Sequence, residues 1–165
     1  MANNEWRKIH ILTTGGTIEK TYDESDGTLF NRETVIKTKL NQKLRLPYTE
    51  ILITSLFAMD SLDMTQSHRN QIRDKVLELA AEGHPVVVLH GTDTMQQTAE
   101  VVATFSDKMN VPVLFTGAMK PLGFEDSDAL QNVTEALFCA QHVNAGVYVS
   151  FHNRLFKITS YYWTT

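Results

Sequence analysis

The chain has 165 residues, 42% of them apolar and 21% charged, enough for one globular domain with a substantial core. A net charge of −4 leaves no basic excess, so the composition argues against nucleic-acid binding. No stretch is long and apolar enough to suggest a bilayer span.

Met1 to Lys8 is polar, contains Glu5, Arg7 and Lys8, and lacks the apolar run of a secretory leader. Cys139 is the single cysteine, so no internal disulfide can form, and it reads as a small buried apolar side chain. A cytoplasmic protein is the expectation. Ile9 to Thr13 reads as a buried strand, and Asp23 to Asn31, with Gly27 inside it, as a polar loop. Asn31 is placed to cap a helix through about Leu44, which Pro47 terminates. Ile51 to Leu56 is a second strand. Thr65 caps a longer helix through Glu82, with Ile72, Val76, Leu79 and Ala80 at helical spacing and Gly83 as the stop. Pro85 introduces the strand Val86 to Leu89. A helix from Thr94 to Phe105, a strand from Val111 to Phe115, a helix from Asp128 to Val143 and a strand from Val147 to Phe151 complete the pattern. Alternating short β-branched strands and helices predict an α/β fold. It is an open, mainly parallel sheet of about five strands with helices on both faces, Rossmann-like or flavodoxin-like.

Two Gly-Thr motifs stand at the ends of predicted strands. Thr14-Gly15-Gly16-Thr17-Ile18 follows the first, and His90-Gly91-Thr92-Asp93-Thr94-Met95 follows the third. Ligands of open parallel sheets bind outside the carboxyl ends of the strands. Threonine hydroxyls, backbone N–H groups and one carboxylate there form a kit for attack on an amide carbonyl. Taken alone, Gly15-Gly16 could be a plain turn and Asp93 a helix cap. The phosphate-binding fingerprints G-x-G-x-x-G and Gly-Lys-Ser/Thr are absent. One histidine beside one aspartate makes no metal site, so His90 reads as a packed, hydrogen-bonded core residue.

These two motifs resemble the bacterial-type L-asparaginase family, specifically its N-terminal domain. The resemblance continues in Asp60-Ser61-Leu62-Asp63-Met64, in Thr116-Gly117-Ala118-Met119-Lys120-Pro121, and in Ser127-Asp128 followed by Asn132. It implies Thr17 as the nucleophile, Tyr22 as a lid tyrosine that helps activate it, and Thr92 with Asp93 as two members of a Thr-Asp-Lys group. Asp93 would pair with the α-ammonium of the substrate and Ser61 would hold its α-carboxylate. Gly16, Gly91 and Thr92 would line the pocket with backbone groups.

Three positions depart from the family pattern. Leu62 stands where the family often has Gln, and Lys120 where it usually has Arg. The family's catalytic lysine falls on Thr164, with Lys157 the only lysine in the tail and hence the candidate substitute. Asp128 and Asn132 read as local hydrogen-bonding and capping residues. The resemblance covers most of Ile9 to Asn153 and implies one N-terminal-type domain, residues 1–165, without the family's C-terminal domain. The activity implied is hydrolysis of L-asparagine, with L-glutamine a weaker substrate, by a cofactor-free homodimer or homotetramer. A small-amino-acid binding or regulatory module and an asparaginase-like amidotransferase subunit are the alternatives. The aromatic tail, Phe156, Tyr161, Tyr162 and Trp163, adds to the expectation of an oligomer.

Overall fold

A computed structural model describes residues 7–22, 24–31 and 33–159. The expectations attached to Tyr161, Tyr162, Trp163 and Thr164 lie outside those residues. Eight strands and four α-helices follow in the order β1 (Arg7–Gly15), β2 (Lys20–Tyr22), β3 (Leu29–Asn31), α1 (Glu33–Lys43), β4 (Thr49–Met59), α2 (Gln66–Ala80), β5 (Val86–Leu89), α3 (Met95–Ala103), β6 (Pro112–Thr116), α4 (Ala129–Ala140), β7 (Gly146–Phe151) and β8 (Arg154–Ile158).

The main sheet runs β4-β1-β5-β6-β7-β8. Its first five strands pair in parallel, and β8 pairs antiparallel with β7. The expected parallel α/β sheet is therefore present, with a sixth, reversed strand at one edge. Counted along the chain, the parallel strands have the order 2-1-3-4-5, that of flavodoxin-like sheets.

Two cores cover the two faces. Ile72, Val76 and Leu79 of α2 pack with Ala99 and Val102 of α3 on Leu12, Val86, Val88, Val113 and Phe115. On the other face Ile36 and Leu40 of α1 pack with Val133, Ala136 and Leu137 of α4 on Ile9, Ile11, Val87 and Leu114. Neighbouring residues of one strand thus enter opposite cores, the two-residue side-chain period of a strand buried on both sides. The chain leaves β1 towards α1 on one face and leaves β5 towards α3 on the other. Divergence of two neighbouring strands opens a crevice at their carboxyl ends.

Two differences from the sequence reading matter. Part of the polar loop after Thr17 is a small hairpin, β2 with β3, in register Lys20–Asn31 and Tyr22–Leu29. Asn31 closes β3, and α1 begins at Glu33. The chain also turns directly after Phe151, where His152 and Asn153 both have positive φ (47° and 60°). Two such residues make the tight turn that matches the twist of a hairpin. Elsewhere the expected caps hold. Thr65 caps α2 in a reciprocal box with His68, and Gly83, at φ 84°, follows its end.

Candidate active site

Four loops meet at the carboxyl ends of β1, β4, β5 and β6, and close backbone approach holds them together. Gly16 has φ 85°, and a Cβ placed on it would lie 2.6 Å from both Cα and N of Gly91. The two motifs therefore press glycine against glycine, and each glycine is followed by a threonine, Thr17 and Thr92. Gly91 in turn abuts Ser61. A Cβ there would lie 2.6 Å from the Ser61 Oγ. A Cβ at Gly117, after β6, would lie 2.3 Å from the backbone oxygen of His90. Any side chain at these positions would force the loops apart.

Hydrogen bonds fix the same cluster. Thr14 Oγ1 donates to Leu89 O at 2.7 Å, tying the end of β1 to the end of β5. Gly16 N donates to Met59 O at 3.0 Å, tying it to β4. Thr94 Oγ1 donates to Ser61 O at 2.9 Å. Gly15 N donates to the carboxylate of Glu19, which is buried beneath the first motif. The sequence reading missed Glu19. Nothing in the sequence marks it beyond its place four residues after Gly15.

Thr17 and Thr92 are half-buried, as is suited to side chains facing a ligand, whereas Asp93 is exposed. Thr94, not Asp93, occupies the N-cap of α3, so capping does not account for Asp93. Ser61 is 1% exposed, and its hydroxyl has no hydrogen-bond partner among the described residues. Leu62 is 70% exposed and turned to solvent. Asp60 receives the N–H of Leu62 at 3.0 Å, which holds its carboxyl below the usual range, with Lys20 of β2 at 3.4 Å adding to the effect. That ion pair moors the base of the β2–β3 hairpin to the β4 loop. Tyr22 stands exposed on the hairpin with its hydroxyl beside Gly27.

His90 is the packed residue expected. It is fully buried, with Nδ1 2.8 Å from Gly91 O and Nε2 2.8 Å from Thr98 Oγ1. Burial pulls its pKa down to about 4, and the nearby charge of Arg69 adds to the drop. Among the described residues no group of three or more His, Cys, Asp or Glu side chains gathers to hold a metal ion.

Asp128 and Asn132 are local organisers. Asp128 accepts the N–H groups of Met119 and Lys120 at 3.0 and 3.1 Å, and Asn132 Nδ2 donates to Gly117 O at 2.9 Å. His152 joins the pair, its Nε2 2.6 Å from Asp128 and its N–H bonded to Asn132 Oδ1 at 3.1 Å. The turn between β7 and β8 is thereby tied to the loop that supports His90. Lys120 pairs with Asp126 in solvent. Cys139 is half-buried, and burial, with Glu135 nearby, pushes its thiol pKa up.

Lys157 is not brought to this cluster. Antiparallel pairing sets it opposite Tyr148, near the start of β7 and away from the carboxyl ends. Its Cε lies 3.5 Å from the place a Cβ on Gly146 would occupy. Lys157 shares its register with Tyr148 of the α4-side core, whereas Val149 and Ile158 pack on the α3 side. A groove of about 530 Å³ has both Thr92 and Lys157 on its border, but the lysine's pairing turns its side chain to the other face. The hairpin reversal after Phe151 is the physical reason this candidate fails to join the threonines.

Comparison with known proteins agrees with the geometry. The family described as asparaginase, N-terminal, matches residues 8–162. L-asparaginase 1 of Escherichia coli strain K12 is 31% identical over 157 residues, 92% of this chain and 46% of that protein. A subunit of the glutamyl-tRNA(Gln) amidotransferase of Haloquadratum walsbyi is 31% identical over 148 residues, 87% of this chain and 33% of that protein. The thermostable L-asparaginase from Thermococcus kodakarensis superimposes with a TM-score of 0.80 at 28% identity, over 90% of this chain and 45% of that one. The chain thus spans less than half the length of these relatives. It belongs to the asparaginase family, as a match to that family's N-terminal domain.

Proposed function

We propose that the chain is an asparaginase-like amidohydrolase acting on L-asparagine, with L-glutamine a weaker substrate. The Thr17 hydroxyl attacks the side-chain amide carbon, ammonia leaves, and water releases aspartate from the resulting ester. Thr92 serves as the second hydroxyl of the relay, and backbone N–H groups of the Gly16 and Thr92 loops face the developing oxyanion. Ser61 and Gly91 receive the α-carboxylate, and Asp93 the α-ammonium. Leu62 contributes backbone contacts only. Tyr22, on the mooring hairpin, closes over Thr17. The chemistry uses no cofactor, and the working form is a cytoplasmic homodimer or homotetramer.

The observation that supports this reading is the close approach of Gly16 to Gly91, each followed in the chain by a threonine. The test is ammonia release from L-asparagine by the purified chain, beside a Thr17→Ala variant. Thr17→Ala should abolish turnover and keep the fold. Ammonia release by the variant at the wild-type rate would show that Thr17 is not the nucleophile.

One observation favours a second reading. Lys157 pairs opposite Tyr148 with its stem beside Gly146, which leaves the lysine of the expected Thr-Asp-Lys group without a candidate beside Thr92 among the described residues. A small-amino-acid binding or regulatory module, or an amidotransferase subunit, would keep the pocket with little turnover. Saturable asparagine binding without ammonia release marks that case.

A further inference from the structure

Outside the crevice, one charged side chain is buried without the partner that burial demands. Arg69 lies in the first turns of α2 and is 7% exposed. Its Nη1 donates to Met64 O at 2.6 Å, while its Nε is buried with no acceptor among the described residues. Among those residues no carboxylate forms an ion pair with it. Arginine is almost never this buried unless paired, because taking a guanidinium out of water is costly unless the attraction of a partner offsets it. A buried donor of this kind calls for a missing acceptor.

Arg69 also borders an open cleft of about 350 Å³ between α2 and α3, walled by Gln66, Gln97, Glu100, Val101 and Thr104. Glu100 is exposed at this cleft, one carboxylate oxygen accepting from Gln96 Nε2 at 2.9 Å. The cleft therefore offers a buried cation and an exposed anion.

We propose that this cleft binds a small zwitterion, a free α-amino acid, with its carboxylate on the Arg69 guanidinium and its ammonium on Glu100. The guanidinium fork suits a carboxylate, and Nε is the donor that now lacks an acceptor. A simple anion satisfies Arg69 but meets Glu100 as a like charge. A zwitterion satisfies both. The cleft shares no lining residue with the groove at Thr92, and His90, whose proton affinity the Arg69 charge lowers, senses its occupancy.

The test is an NMR titration of the isotope-labelled full chain with glycine, acetate and methylamine. Glycine should move the backbone signals of Gln66, Arg69, Gln97 and Glu100 saturably. It should also move the His90 imidazole titration upward, because a carboxylate offsets the Arg69 charge. Arg69→Gln should weaken glycine binding at least tenfold. Glu100→Gln, an exposed change that spares the core, should weaken glycine but not acetate. Shifts confined to the loops of Thr17 and Thr92, no saturation, or shifts unchanged by Glu100→Gln would each overturn the proposal. None of these signals depends on turnover, so an inactive enzyme would leave the result intact.

Discussion

His90 is neutral at pH 7 because a buried imidazolium would be left without water and beside Arg69. Its folded pKa is about 4, against about 6.5 for an unfolded histidine. Between those values the unfolded chain binds the extra proton. The stability that neutral His90 confers is therefore complete above about pH 6.5 and is lost as the pH falls towards about 4. Two to three pK units correspond to about 3 kcal/mol over that window. Urea unfolding at several pH values should show this slope in the wild type, and His90→Gln should flatten it. Equal slopes would assign the acid sensitivity to other groups. Asp93 makes the opposite case. Because it is exposed, a charge pair with a substrate ammonium is screened, and Asp93→Asn in this chain should cost about 0–1 kcal/mol in asparagine affinity. A loss of several kcal/mol, measured by calorimetry, would mean that Asp93 is covered when substrate binds. Gly-Thr pairs at strand ends made the site legible at this scale. The buried Glu19 and Arg69 were not, because a charged residue in a polar stretch of sequence reads as solvated.

The strands and helices that were legible have strong local signals. Val86 to Leu89 is a β-branched run between Pro85 and a Gly-Thr turn, and α2 carries its cap, its apolar stripe and its stop in one segment. The hairpins were not legible. β2 and β3 are three residues each, too short to show alternation, and the β7–β8 turn is His152-Asn153 with no glycine to mark it. The loops that join these elements carry two predictions. Gly16→Ala puts a methyl against Gly91 and requires φ near 85° of a residue with a side chain. Backbone strain of this kind costs about 1–3 kcal/mol, and the loops must separate to admit the methyl. Asparagine binding should fall by tenfold or more, with the far-ultraviolet circular dichroism unchanged. Binding at the wild-type level would show that the glycine contact does not position the threonines. Asp128→Ala removes the acceptor shared by Met119, Lys120, Asn132 and His152. Its loss should cost about 1–3 kcal/mol and speed amide exchange at Met119 and Lys120. Exchange unchanged at those two amides would show that the loop is held by other contacts.

At the scale of the molecule, the sheet is finished at one edge by a strand that is poorly covered. Leu155 and Phe156 of β8 are 40% and 43% exposed and face opposite sides of the sheet, and Phe138 of α4 is 63% exposed. Leu155 borders a groove against α4, and Phe156 the groove against α3 that begins at Thr92. The edge itself is a poor site for strand-to-strand pairing, because Arg154 and Lys157 would bring positive charge to it. The two apolar flanks are the better surface, and apolar residues this exposed favour burial against another copy. The protein should therefore run as a dimer or larger species in light scattering at micromolar concentration. Replacing Phe156 by Lys should shift it towards monomer with little change in secondary structure, since the ring is already half in water and contributes little to the core. Replacing Tyr48, which lies between α1 and β4 and is more exposed still at 75%, should leave the mass unchanged. A wild-type chain that is monomeric throughout this range would exclude self-association through β8. A dimer that survives Phe156→Lys would move the interface away from the Thr92 groove.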